Sequence, residues 1–96
     1  EPLPKVTVSY LGQPAKLVAL KLAEELRQAG VGTLLTPGDR SFKAQLKAAD
    51  RAQVKFAVIL GENEVSTGQA VIREMATSRQ ESLPLAGVAN WLKERL

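Results

Sequence analysis

Neither cysteine nor histidine occurs anywhere in the 96 residues. That removes disulfides, thiol nucleophiles, the usual zinc ligand sets and histidine as a general base in one step. Aromatic side chains are scarce, with one Trp, one Tyr and two Phe, too few for a base-stacking platform of the single-strand-binding kind. No apolar run approaches the roughly 18 residues that a membrane span requires. The longest, Phe56 to Leu60, is the size of a strand. Charge is nearly balanced: 13 Lys and Arg stand against 10 Asp and Glu, a net +3. So mild a basic excess decides no partner by itself.

What is present suits a folded domain. Hydrophobic residues make up 45% of the chain, too many for a disordered one. A chain of this size buries about 60–70% of its unfolded surface and folds without staples. Residues 1–96 read as one domain. The opening Glu1-Pro2-Leu3-Pro4, with no Met and no signal-peptide pattern, reads as a linker remnant (1–4) from a longer protein. The absence of cysteine is compatible with a cytoplasmic location.

Lys5 to Leu11 alternates Val6, Val8 and Tyr10 with Thr7 and Ser9, which predicts a strand ended by Gly12. Pro14 suits a first helical turn, and Ala15 to Ala29 carries an apolar stripe of Ala15, Val18, Ala19, Leu22, Leu26 and Ala29. Gly30 follows as a helix stop. Val31 to Thr36 reads as a second strand and Pro37-Gly38-Asp39 as a turn. Asp39 or Ser41 is placed to cap a helix over about Ser41 to Ala52. That helix would bury Phe42, Leu46 and Ala49 and set Lys43, Lys47 and Arg51 on another face. Phe56 to Leu60, apolar throughout, predicts a strand buried on both faces. Gly61 to Gly68 reads as a polar turn, Gln69 to Ala76 and Gln80 to Leu83 as two more strands. Pro84 opens a last helix with Leu85, Val88, Leu92 and Leu96 on its stripe. The expectation is an α/β fold of three layers, a mixed five-stranded sheet with three helices. Its order is strand, helix, strand, helix, strand, strand, strand, helix, with right-handed crossovers in the parallel part.

No catalytic constellation stands out. Glu62 and Glu64 are close in sequence, but a solvated turn is the plainer reading than an acid–base pair. The lone Gly12 and Gly61 lack phosphate-loop spacing. Ligands of open α/β sheets bind beyond the carboxyl ends of the parallel strands. Here those ends carry Leu11-Gly12, Thr36-Pro37-Gly38 and Gly61-Glu62-Asn63-Glu64, beside the basic row Arg40, Lys43 and Lys47. From the pattern alone, a solvated helix face is the better explanation of Lys43, Lys47 and Arg51.

Arg40-Ser41-Phe42-Lys43-Ala44-Gln45-Leu46-Lys47-Ala48-Ala49-Asp50, Lys55 to Glu64 (KFAVILGENE), Gly68 and Val71-Ile72-Arg73 together resemble the C-terminal domain of histidyl-tRNA synthetase, a class II aminoacyl-tRNA synthetase. The likeness covers almost the whole chain. The Gly-Glu-x-Glu turn is shared with the synthetases for threonine, proline and glycine. The Ser-x-Lys-x-Gln-Leu-Lys-x-Ala-Asp run leans toward histidine.

This resemblance implies an anticodon-binding domain without a catalytic site of its own. The ligase reaction, with ATP and Mg, would belong to an absent catalytic domain, and no cofactor or metal is expected here. The implied partners are tRNA (by its anticodon, GUG for histidine) and the rest of a synthetase chain that is a homodimer, with no membrane. Local match carries RNA contacts to Lys47, Glu64 and Arg73, with Arg40, Lys43 and Glu62 as neighbours. Lys47 stands where a relative has Arg, so it offers a point charge rather than a fork. Glu64 would accept from the N–H donors of a guanine while Arg73 holds a phosphate or a carbonyl. The plainer structural reading of Arg73 is a solvent-facing strand residue paired with Glu81. The other functional reading is a paralogous regulatory or accessory domain of the same fold, working by protein contact without tRNA.

Overall fold

The apolar run Phe56–Leu60 becomes the middle strand of a five-stranded sheet, and all five of its residues are buried. The computed structural model describes residues 4–36 and 41–96; the side chain of Phe42 also lies outside what is described. The elements run β1 (Val6–Tyr10), α1 (Gln13–Gln28), β2 (Thr33–Thr36), α2 (Phe42–Ala52) and β3 (Phe56–Leu60). They continue with α3 (Glu62–Ser66), β4 (Gln69–Glu74), β5 (Arg79–Pro84) and α4 (Leu85–Arg95). The sheet order is β2-β1-β3-β4-β5. β1 is parallel to both β2 and β3, while β4 and β5 add antiparallel. The first two strand–helix–strand units thus form the parallel part, and tight connections suffice for the remainder.

Strand alternation sends two residue sets to opposite sides. Val6, Val8, Phe56, Val58, Leu60, Ala70 and Ile72 face one way and form the main core. α1 contributes Ala15, Ala19, Leu22 and Leu26 to it, and α4 contributes Val88, Ala89 and Leu92. Each large aliphatic side chain buried there contributes about 1.5–3 kcal/mol of transfer free energy. The other side holds a smaller cluster, Ala49 of α2 with Val54 and Ala57. α2 packs over β1 and β3. Beyond it the same side of β4 and β5 carries half-buried Gln69, Val71 and Arg73 and exposed Gln80 and Ser82.

Local chemistry explains the helix ends. Ser41 caps α2, its Oγ accepting from the Ala44 N–H at 3.2 Å. Gln53 closes α2 in the left-handed region at φ 57°. Within α4, Trp91 meets Phe56 edge-on with ring centroids 5.3 Å apart and carries the Arg95 guanidinium 3.8 Å from its own centroid.

Several details differ from the sequence expectation. β2 begins at Thr33 rather than Val31, and Ala29, expected on the stripe of α1, caps its end and is exposed. The polar segment after β3 contains a short helix, α3, which makes four helices rather than three. β4 stops at Glu74, because residues 75–78 form the turn into β5 with Ser78 at φ 61°. Leu96, expected on the apolar stripe of the last helix, lies past its end and is 40% exposed.

Candidate nucleic-acid interface

The exit from β3 is built on two glycines and two glutamates. Gly61 has no side chain with which to cap α3, so the cap comes from within the helix. Glu64, three residues on, turns its carboxylate back, and Oε1 accepts from the Gly61 N–H at 3.1 Å. That is half of a capping box. The close approach depends on glycine: a Cβ on Gly61 would stand 2.5 Å from Glu64 Oε1.

Glu62 stands at the head of a different helix. Gly12 is the N-cap residue of α1 at φ 86°, with no side-chain cap and no acid in the first turn. Glu62 lies against it, and a Cβ on Gly12 would stand 2.8 Å from Glu62 Oε1. A carboxylate at that end offsets the positive pole of α1, an effect of about 0.3–1 kcal/mol at an exposed position. Leu11, Gly12, Gly61, Glu62, Asn63 and Glu64 line a notch of about 390 Å3 where the carboxyl ends of β1 and β3 meet. The two glutamates singled out from the sequence therefore share one site.

The basic candidates stand elsewhere. Arg73 pairs in register with Ala57, three residues before the end of β3, so about 10 Å of strand separates it from the exit turn. Directly opposed residues share a face. Arg73 therefore stands on the α2 side of the sheet, where Ala57 packs with Ala49. Its Nη1 donates to Gln80 Oε1 across the strand at 3.3 Å. Glu81, the partner considered from the sequence, is paired with Ile72 on the opposite face. Lys43 and Lys47, with Arg51 one turn further, are exposed on α2. None of the three has an ion pair among the described residues, where the one salt bridge is Arg95 with its neighbour Glu94 at 3.9 Å. Arg40 lies outside the described residues.

The structure thus sets Arg73 apart from the acidic notch, on the side of the sheet that α2 covers over β1 and β3. Carboxylates accept hydrogen bonds from donors, and cations attract phosphates. Among the described residues no three acidic side chains converge to hold a metal ion. Asn63 and Gln80 escaped the sequence reading. The only hint of either was a polar side chain next to a candidate, and strand register alone brings Gln80 to Arg73.

Comparison with known proteins bears on what such a surface meets. The chain is 39% identical over 95 residues to a histidine–tRNA ligase of Dehalococcoides mccartyi, covering 99% of this chain and 23% of that protein. It is 43% identical over 89 residues to the Geobacillus sp. (strain WCH70) enzyme of the same name, covering 93% of this chain and 21% of the relative. Among solved structures, histidyl-tRNA synthetase from Nostoc sp. PCC 7120 superposes with a TM-score of 0.87 at 26% identity, over 98% of this chain and 23% of that one. The chain spans less than a quarter of the length of these relatives. A family model described as anticodon binding domain matches residues 5–95. With that match over nearly its whole length, the chain belongs to the anticodon-binding domain family.

Proposed function

We propose that the chain reads the anticodon of histidine tRNA as one domain of a histidine–tRNA ligase. The aminoacylation itself, with ATP and Mg, belongs to the part of such a ligase outside this chain. That parent enzyme is a cytoplasmic homodimer. The observation that supports the RNA reading is the unpaired cationic row Lys43 and Lys47 on α2, on the same side of the sheet as Arg73 and the open polar face of β4 and β5. These three side chains, with Arg40, take phosphates. Glu62 and Glu64 border the place where a base enters. The separation along β3 suits a stretch of several unstacked nucleotides rather than one base. No feature of the fold favours a domain that acts by protein contact alone.

Titration of the chain with a histidine tRNA transcript, at several salt concentrations, tests this. Affinity should fall steeply with salt, and Lys47→Ala should flatten the log–log slope by about 0.7, the value of one lost single-strand phosphate contact. Changing the anticodon should weaken binding about tenfold or more. Binding that ignores the anticodon would remove the reading.

A further inference from the structure

Of the basic candidates Lys43, Lys47 and Arg73, only Arg73 has a side-chain hydrogen bond among the described residues, and its acceptor carries no charge. Its row across the sheet is Ala57 on β3, Arg73 on β4 and Gln80 on β5. Ala57 has no polar side-chain atom to offer and packs with Ala49 of α2. Gln80 is the neighbour in that row that can hold the guanidinium, and its Oε1 accepts from Arg73 Nη1 at 3.3 Å. A guanidinium only donates, so the Gln80 amide has to meet it oxygen first.

The nearby acids are kept away from this pair. Glu74 and Glu81 adjoin Arg73 and Gln80 in the chain, but register puts both on the opposite face, Glu74 in the row of Phe56 and Glu81 opposite Ile72. Glu74 Oε1 also accepts from Thr77 Oγ1 at 2.6 Å. Arg73 has no ion pair among the described residues. It keeps its full charge and has spent one of its five N–H donors.

We propose that Gln80 is a positioning residue for RNA binding, which orders the half-buried Arg73 guanidinium at the open side of β4 and β5 and leaves its remaining donors for a phosphate. This rests on the anticodon reading above and adds the residue that prepares one of its cations.

A neutral acceptor suits that task. A carboxylate in the same place would order the guanidinium equally well but cancel its charge. An apolar side chain would leave the charge and lose the order. Immobilising a rotamer-rich side chain opposes binding, so one that is ordered beforehand binds more tightly. An arginine meets a phosphate best with two parallel N–H groups, a match that depends on how its plane is held.

A double-mutant cycle on the 96-residue chain tests this, with a histidine tRNA transcript at several salt concentrations, a transcript of altered anticodon and the Tm of each variant. Arg73→Ala should weaken binding about tenfold and flatten the log–log salt slope by about 0.7. Gln80→Ala should weaken it about threefold to fivefold at every salt concentration with the slope unchanged, because Arg73 still reaches its phosphate. In the Arg73→Ala background, Gln80→Ala should cost nothing further. Gln80→Glu keeps the acceptor but neutralises the arginine, so it should flatten the slope as Arg73→Ala does. Gln80 is exposed on the outer strand, and both of its variants should hold Tm within about 3 °C. A role in strand pairing alone would lower Tm and leave affinity untouched, which overturns the proposal. It is also overturned, while the anticodon reading stands, if Gln80→Ala weakens binding equally with and without Arg73, or if Arg73→Ala leaves affinity unchanged. If the wild-type chain binds the altered anticodon as tightly as GUG, the anticodon reading fails and the role of Gln80 fails with it.

Discussion

The middle and the outer edge of the sheet are made of opposite material. β3 (Phe-Ala-Val-Ile-Leu) is buried along its whole length, pressed between α1 and α4 on one side and α2 on the other. β5 (Arg-Gln-Glu-Ser-Leu-Pro) has no buried residue, and only Leu83 is even half-buried. The contrast follows from the helices: α2 packs over β1 and β3 and leaves the same side of the antiparallel pair open. One half of the sheet supplies stability, and the other presents polar groups and an arginine to solvent. A recognition surface can be carried at the edge because the parallel half does not need it for packing.

Substitutions in the two halves sharpen that contrast. The largest effect should come from the core. Leu60→Ala removes a fully buried side chain at the end of β3 and should cost about 3 kcal/mol in urea unfolding, transfer and cavity terms together. Gly12→Ala lies between the two extremes, in the joint that ties α1 to the exit turn. It forces a side chain into φ 86° and against the Glu62 carboxylate, and should cost about 2 kcal/mol. Adding Glu62→Ala should recover only the steric part, so the two changes will not add. At the edge, Ser82→Ala should shift stability by less than about 0.5 kcal/mol. A cost at Ser82 as large as at Gly12 would show that the outer strands are not the free surface described here.

Much of the architecture was legible in the residues. The stripe on α1 and the alternation in β1 each follow from a period that one element type satisfies, and the apolar run of β3 is strand-sized by its length. The short helix α3 was not legible, since Glu-Asn-Glu-Val-Ser is too brief to show a period and reads as turn composition. Nor were the duties of its glutamates. The carboxylate at position 64 bonds locally, but its effect depends on Gly61 lacking a Cβ. The carboxylate at position 62 meets Gly12 across 50 residues of chain. Likewise the cross-strand partner of Arg73 is Gln80 rather than Glu81, because register puts adjacent residues on opposite faces.

Residue order by itself determined the element types, the buried central strand and the exclusion of thiol and histidine chemistry, because periodicity and composition are local properties of a chain. Only the tertiary structure decided that Arg73 and the acidic turn occupy separate places. It also decided that the Glu64 carboxylate bonds the Gly61 N–H while Glu62 lies against Gly12. Those outcomes depend on strand register and helix placement, which bring together residues with no periodic relation in the sequence.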